Sequence, residues 1–202
     1  MASQVSFCYA SNKGSRRPVQ LMFTSLSGRL KERMEVAMHR THENWKQVTF
    51  WEEGYERLWQ EPSIPTSDAE RSLTIPKEDV IYLTGDSPNV LDTIEEGKTY
   101  ILGGIVDRNR YKNLCLDKAT SQGIKHAALP IGQYLPELKT RKILTVNQVF
   151  DIILRWIELQ DWGQALRAVM PTRKMDKQTD SRKHDSEADA ASDVDLSDIS
   201  AA

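Results

Sequence analysis

One stretch constrains this chain more than any other: Tyr100-Ile101-Leu102-Gly103-Gly104-Ile105-Val106-Asp107-Arg108-Asn109-Arg110-Tyr111-Lys112-Asn113-Leu114-Cys115. It starts as an apolar run, breaks at a glycine pair and resumes briefly. It ends on a carboxylate followed by three cationic side chains, Arg108, Arg110 and Lys112. A hydrophobic strand that delivers a carboxylate and a basic loop to its C-terminal end is how open α/β sheets build their sites.

The segments on either side alternate as a parallel sheet requires. Pro18 opens a predicted strand over Val19–Thr24, and Gly28 precedes a predicted helix over Arg29–Arg40 with Leu30, Met34, Ala37 and Met38 on one face. Val80–Thr84 reads as a short buried strand. Ser87 and Pro88 suit a helix start, followed by Val90, Leu91 and Ile94 and closed at Gly97. Thr99–Val106 is the next strand, Asn113–Gln122 a helix closed by Gly123, and Ile124–Leu129 a strand ending at Pro130. A loop over 131–140 leads to a brief strand at Lys142–Leu144. Thr145-Val146-Asn147-Gln148 fits a capping box, and Val146, Val149, Phe150, Ile153, Leu154 and Ile157 form an apolar stripe behind it. Asp161 can cap a last helix with Trp162, Leu166 and Val169 inward. Strands alternating with helices in this way predict an α/β domain with a parallel sheet. Residues 1–17 read as polar and irregular. In 41–60 the aromatics Trp45, Phe50, Trp51, Tyr55 and Trp59 suit either core packing or stacking on bases.

The net charge of −2 hides an asymmetry. Residues 172–202 hold 5 Lys/Arg against 8 Asp/Glu and lack aromatics, so a disordered acidic tail is expected there. Residues 106–142 hold 8 Lys/Arg against 3 Asp/Glu. Such a patch is either a solvated basic face or a polyanion site. No apolar run approaches the ~18 residues of a membrane span, and the N-terminus lacks a signal-peptide pattern. Cys8 and Cys115 stand alone and far apart, which suits free thiols in a reducing compartment, nucleus or cytoplasm.

Three loops follow predicted strands and converge at one sheet edge: Leu83–Ser87, Gly103–Lys112 and Leu129–Gln133; Thr145–Asn147 follows a fourth. Glycine or proline marks each of the three, so main-chain groups can approach a ligand closely, which suits an adenosine-containing cofactor. Neither G-x-G-x-x-G, the P-loop pattern nor G-x-S-x-G occurs. The histidines His39, His42, His126 and His184 lack metal-ligand spacing. By position, Asp107 is the acid/base candidate; a helix-capping carboxylate is the other reading.

At Tyr82–Ser87, Gly103–Cys115, Leu129–Ile131, Arg141–Phe150 and Asp161–Trp162 the chain resembles the tRNA (guanine-9-N1)-methyltransferases of the SPOUT superfamily, over roughly residues 18–174. The resemblance implies a SPOUT-type parallel sheet flanked by helices over 18–171, with a C-terminal trefoil knot, in a monomer. It also implies S-adenosyl-L-methionine, contacted by Leu83, Thr84, Gly103, Gly104, Asp107, Arg108, Asn109, Arg110, Tyr111, Lys112, Cys115, Leu129, Pro130, Ile131, Thr145, Val146 and Asn147. Asp107 would be the general base for methylation at N1 of guanine 9, with no metal. Arg29, Lys31, Arg33, Arg110, Lys112 and Lys118 are the candidate tRNA contacts. Family members carry a first strand with an acidic motif that Val5-Ser6-Phe7-Cys8 does not replace. A sheet lacking that strand is therefore expected, with 1–17 as an N-terminal remnant; the alternative is an RNA-binding module or an N-terminally truncated, weakly active or inactive form.

Overall fold

Every strand pairing among the described residues is parallel. The computed structural model describes residues 1–36, 38–60, 74–105, 110–136, 138 and 144–170. Strand β1 (Leu21–Phe23) pairs with β2 (Val48–Phe50). A second sheet places β3 (Val80–Leu83) between β4 (Thr99–Leu102) and β5 (Lys125–Ala127). All four residues of β3 are buried, because helices and neighbouring strands cover both its faces, and this is why its sequence is continuously apolar rather than alternating. The expected parallel α/β architecture is thus present, as two separately paired sheets flanked by helices.

The remaining elements cover these sheets. Helix α1 is Ala2–Gly14, α2 is Gly28–Val36, α3 is Leu114–Ser121, α4 is the single turn Ile131–Tyr134, α5 is Val146–Leu159 and α6 is Trp162–Val169. The capping box forms at the start of α5, where the Thr145 N–H donates to Gln148 Oε1 at 3.1 Å. Asp161 caps α6 by accepting the Gln164 N–H at 2.9 Å. Phe150 and Leu154 of α5 pack with Cys8 and Leu21, and Leu102 of β4 lies against the same cluster. This cluster ties the end of β4 to β1 without a shared hydrogen-bond ladder.

Several expectations need correction. Residues 1–17 are not irregular, since α1 fills most of them. Its buried positions Ala2, Val5, Cys8 and Asn12 are small or polar, so no large side chain marks the face in the sequence. Packing decides it instead: Ala2 and Val5 meet Leu26 and Met34, and Cys8 joins the Phe150 cluster. Burial, with the Asp151 carboxylate adding to it, pushes the Cys8 thiol up to about 12, so Cys8 is a neutral packing group. Asn12 Nδ2 donates to Val19 O at 2.8 Å and Asn12 Oδ1 accepts the Val19 N–H at 2.9 Å, tying the end of α1 to the chain entering β1. Asn12→Ala strands both backbone groups beside a buried site and should cost about 2 kcal/mol in denaturant unfolding.

Helix α2 is described over Gly28–Val36, and it does not run on to Arg40 as expected, since His39 and Arg40 take positive φ. The aromatic segment 41–60 is built from two 3₁₀ turns and β2, and its rings pack: Trp45 stacks on Tyr9 at 4.2 Å, Phe50 on Phe23 at 5.5 Å, and Tyr55 meets Tyr82 edge-on at 5.7 Å. No helix forms after Ser87. The Ser87 hydroxyl is held by His126 Nδ1 at 2.9 Å, and Asn89 and Leu91 bond to the main chain of Ala128. This stretch therefore extends the sheet edge rather than coiling. The loop expected over 131–140 opens with α4. The predicted strand at Lys142–Leu144 lies outside the described residues except for Leu144, which is in no regular element; the tail over 172–202 and the chain at 139–143 also lie outside them.

Candidate active site

The C-terminal ends of β3, β4 and β5 open into one cavity of about 570 Å³, large enough for a nucleoside-sized ligand. Leu83 and Thr84 supply one wall, Leu102, Gly103 and Cys115 the next, and Ala128, Leu129 and Ile131 a third; Val146 of α5 closes the remaining side. The site is where parallel strands and their helices leave a crevice, as the sheet rule requires.

Gly103 is where β4 must let its main chain pass closest to its neighbours. A Cβ there would lie 2.8 Å from Cys115 Sγ and 3.0 Å from the Tyr82 hydroxyl. Tyr82 is only 4% exposed. Burial raises its phenol far above the ordinary range, and its hydrogen bond with Cys115 adds to this, so the ring is a neutral buttress behind the glycine. Behind it, Tyr55 donates to Gln122 Oε1 and Gln122 Nε2 donates to Glu56 Oε1 at 2.7 Å. Burial resists charge on Glu56, but its own backbone amide, Lys118 and Gln122 together hold the carboxyl below its usual range. On the other wall, Asp86 Oδ2 accepts the Asn113 N–H at 3.0 Å and so anchors the start of α3 to the loop after β3.

The structure brings together around this cavity Leu83, Thr84, Gly103, Tyr111, Lys112, Cys115, Leu129, Ile131 and Val146 of the residues expected to contact a cofactor. Gly104, Arg110, Pro130, Thr145 and Asn147 stand next to lining residues without lining it. Pro130 is buried as the cap of α4, and Thr145 is the cap of α5. Asp107, Arg108 and Asn109 lie outside the described residues; Ile105 and Tyr111, on either side of them, both line the cavity. Gly85, Asp86, Ile105 and Gly132, which belong to the three converging loops, line it too, as do Leu102, Leu114, Ala128, Leu144 and Val149, which were not anticipated. Most sit one position from an expected residue, so the strand ends themselves were the available signal.

The candidate RNA contacts divide. Arg29 and Arg33 are exposed on α2, but Lys31 pairs with Glu52. Lys118 pairs with Glu56 at 3.0 Å and sits 4.4 Å from the Tyr55 ring centroid, so its charge is engaged within the buttress. Arg110 and Lys112 are exposed at the cavity mouth. Among the described residues no group of three or more His, Cys, Asp or Glu could hold a metal ion, and no helix is long and apolar enough to cross a membrane.

The model of the tRNA (guanine(9)-N(1))-methyltransferase TRM10/TRM10A family matches residues 1–175. The chain belongs to this family. It is 40% identical over 174 residues to the tRNA (guanine(9)-N1)-methyltransferase of Schizosaccharomyces pombe, covering 86% of this chain and 52% of that protein. It is 39% identical over 189 residues to the human tRNA methyltransferase 10 homolog A, covering 92% of this chain and 50% of that protein. The chain thus spans about half the length of the curated relatives it matches. The crystal structure of the full-length spTrm10–SAH complex superposes with a TM-score of 0.71 at 40% identity, covering 85% of this chain and 83% of that one. A Trm10 structure from Thermococcus kodakaraensis, at 19% identity and a TM-score of 0.51, supports the fold alone.

Proposed function

We propose that the chain methylates N1 of guanine 9 in tRNA with S-adenosyl-L-methionine as donor. The observation that carries this reading is the cavity at the ends of β3, β4 and β5, in a chain of this family and 40% identical to a relative solved with SAH. The cofactor supplies an electrophilic methyl group on a sulfonium. The main chain around Leu83–Thr84, Gly103 and Leu129–Ile131 would hold the adenosine end, because these are the points where backbone borders the cavity with little side chain in the way. Apolar lining from Leu102, Val146 and Val149 excludes water from the rest.

Guanine N1 carries a proton at neutral pH and is a poor nucleophile until it is lost. Asp107 takes that proton as the N1–methyl bond forms, and Arg110 and Lys112 hold the RNA by its phosphates. A C-terminal trefoil knot, a monomeric enzyme that needs no metal, and a nuclear or cytoplasmic location belong to the same proposal.

The test is direct. The chain is incubated with unmodified tRNA bearing G9 and with labelled S-adenosylmethionine, and the product is mapped. Label at N1 of G9 is expected. A folded sample that binds tRNA in a salt-dependent way but transfers no label would make the protein an RNA-binding module instead.

A further inference from the structure

Eight large hydrophobic side chains are exposed among the described residues, and three of them gather at one place. Ile105 (39% exposed), Tyr111 (57%) and Leu114 (47%) all line the mouth of the cavity. Exposed apolar surface concentrated at a site marks something that covers it in use. Tyr111 also stands between two exposed cations, Arg110 and Lys112, and the Arg110 guanidinium lies 5.6 Å from its ring centroid. A flat aromatic ring with apolar neighbours and positive charge on both sides matches one kind of occupant: an unstacked nucleobase still attached to its phosphates.

We infer that this rim is the platform for the target base. The purine, swung out of the tRNA stack, lies on the Tyr111 ring; Ile105 and Leu114 cover its edge, and Arg110 and Lys112 meet the flanking phosphates. The assignment rests on the methyltransferase reading above and deepens it. It moves Tyr111 from the expected cofactor set to the substrate base. The inner walls at Leu83 and Ile131 are buried, as suits a cofactor, whereas the Tyr111 rim faces solvent, from which the RNA arrives. An enzyme that acts on a base must extract it and offset the lost stacking, and an aromatic ring at the mouth supplies that compensation.

The experiment compares wild type, Tyr111→Ala, Tyr111→Leu and Tyr111→Phe. Single-turnover methylation of G9 is measured at saturating cofactor, and S-adenosylhomocysteine affinity is measured by calorimetry. Tyr111→Ala should slow the single-turnover step roughly 5- to 150-fold, the range that loss of one base–aromatic stack gives. Tyr111→Phe should restore most of the rate, because it keeps the ring and loses only the hydroxyl. Affinity for S-adenosylhomocysteine should move less than about twofold in each variant. Tyr111→Leu keeps bulk without an aromatic face; it should fail as Ala does, and it serves if the Ala variant does not fold. Equal rates for wild type and Leu would overturn the inference. So would a loss of S-adenosylhomocysteine affinity matching the loss of rate, which would make Tyr111 a cofactor residue. A wild-type chain that binds tRNA but does not methylate it would remove the underlying reaction, and with it this role.

Discussion

Asp107→Asn should lower methylation of G9 by about 10²- to 10⁴-fold while leaving affinity for S-adenosylhomocysteine within about twofold of wild type. The substitution keeps the size and the polarity of the side chain and removes only its ability to accept a proton. With the carboxylate present, the rate should fall on the acid side as that group is protonated, and level off above it. With the amide in its place the N1 proton must leave to solvent, so the residual rate should keep rising with pH. This pH signature separates a base from a helix cap. A capping residue would instead lose thermal stability and cofactor affinity together, with an unchanged pH profile. Equal loss of S-adenosylhomocysteine binding and turnover would therefore assign Asp107 to structure.

The strand ends that border the cavity were legible in the sequence, and for a physical reason. Strand β3 is buried on both faces, so Val80–Leu83 appears as an uninterrupted apolar run, and Gly103 and Pro130 punctuate the chain where main chain must turn at the cavity. Helices α5 and α6 were legible because Thr145 with Gln148 and Asp161 with Gln164 solve the problem of unpaired N-terminal amides locally. Helix α1 was not legible, because its buried face is Ala2, Val5, Cys8 and Asn12, which no hydrophobic periodicity distinguishes from a polar segment. The helix expected after Ser87 failed for the opposite reason. Its local start signal was real, but the Val90–Ala128 bridge and the bonds of Asn89 and Leu91 to Ala128 gave the backbone a better partner in the sheet. Lys118 is a similar case at the level of function. As a cation in a basic stretch it suggested phosphate, while its actual partners, Glu56 and the Tyr55 ring, lie too far along the chain for sequence spacing to indicate.

Gly103→Ala should weaken cofactor binding through a single added methyl group. A Cβ at 2.8 Å from Cys115 Sγ and 3.0 Å from the Tyr82 hydroxyl is closer than packed atoms tolerate, so something must move. Tyr82 cannot swing away, because it is buried and meets the Tyr55 ring edge-on at 5.7 Å. The end of β4 should therefore shift into the cavity, where it competes with the adenosine. Overpacking of this kind costs about 1–3 kcal/mol, so calorimetry should show S-adenosylhomocysteine binding weakened roughly 5- to 150-fold. The cause can be separated from a general loss of fold by compensation. Cys115→Ala removes the nearer obstacle and Tyr82→Phe the second, leaving only the Tyr82 Cε1 contact at 3.6 Å, which is ordinary packing. Combined with Gly103→Ala, the two substitutions should recover most of the lost affinity, although each alone gives no gain in the parent chain. Non-additivity of that sign is the mark of a direct steric clash. Additive losses would show instead that Gly103 matters for its backbone conformation, and that the Tyr82–Cys115 buttress is not what sets the width of the cavity.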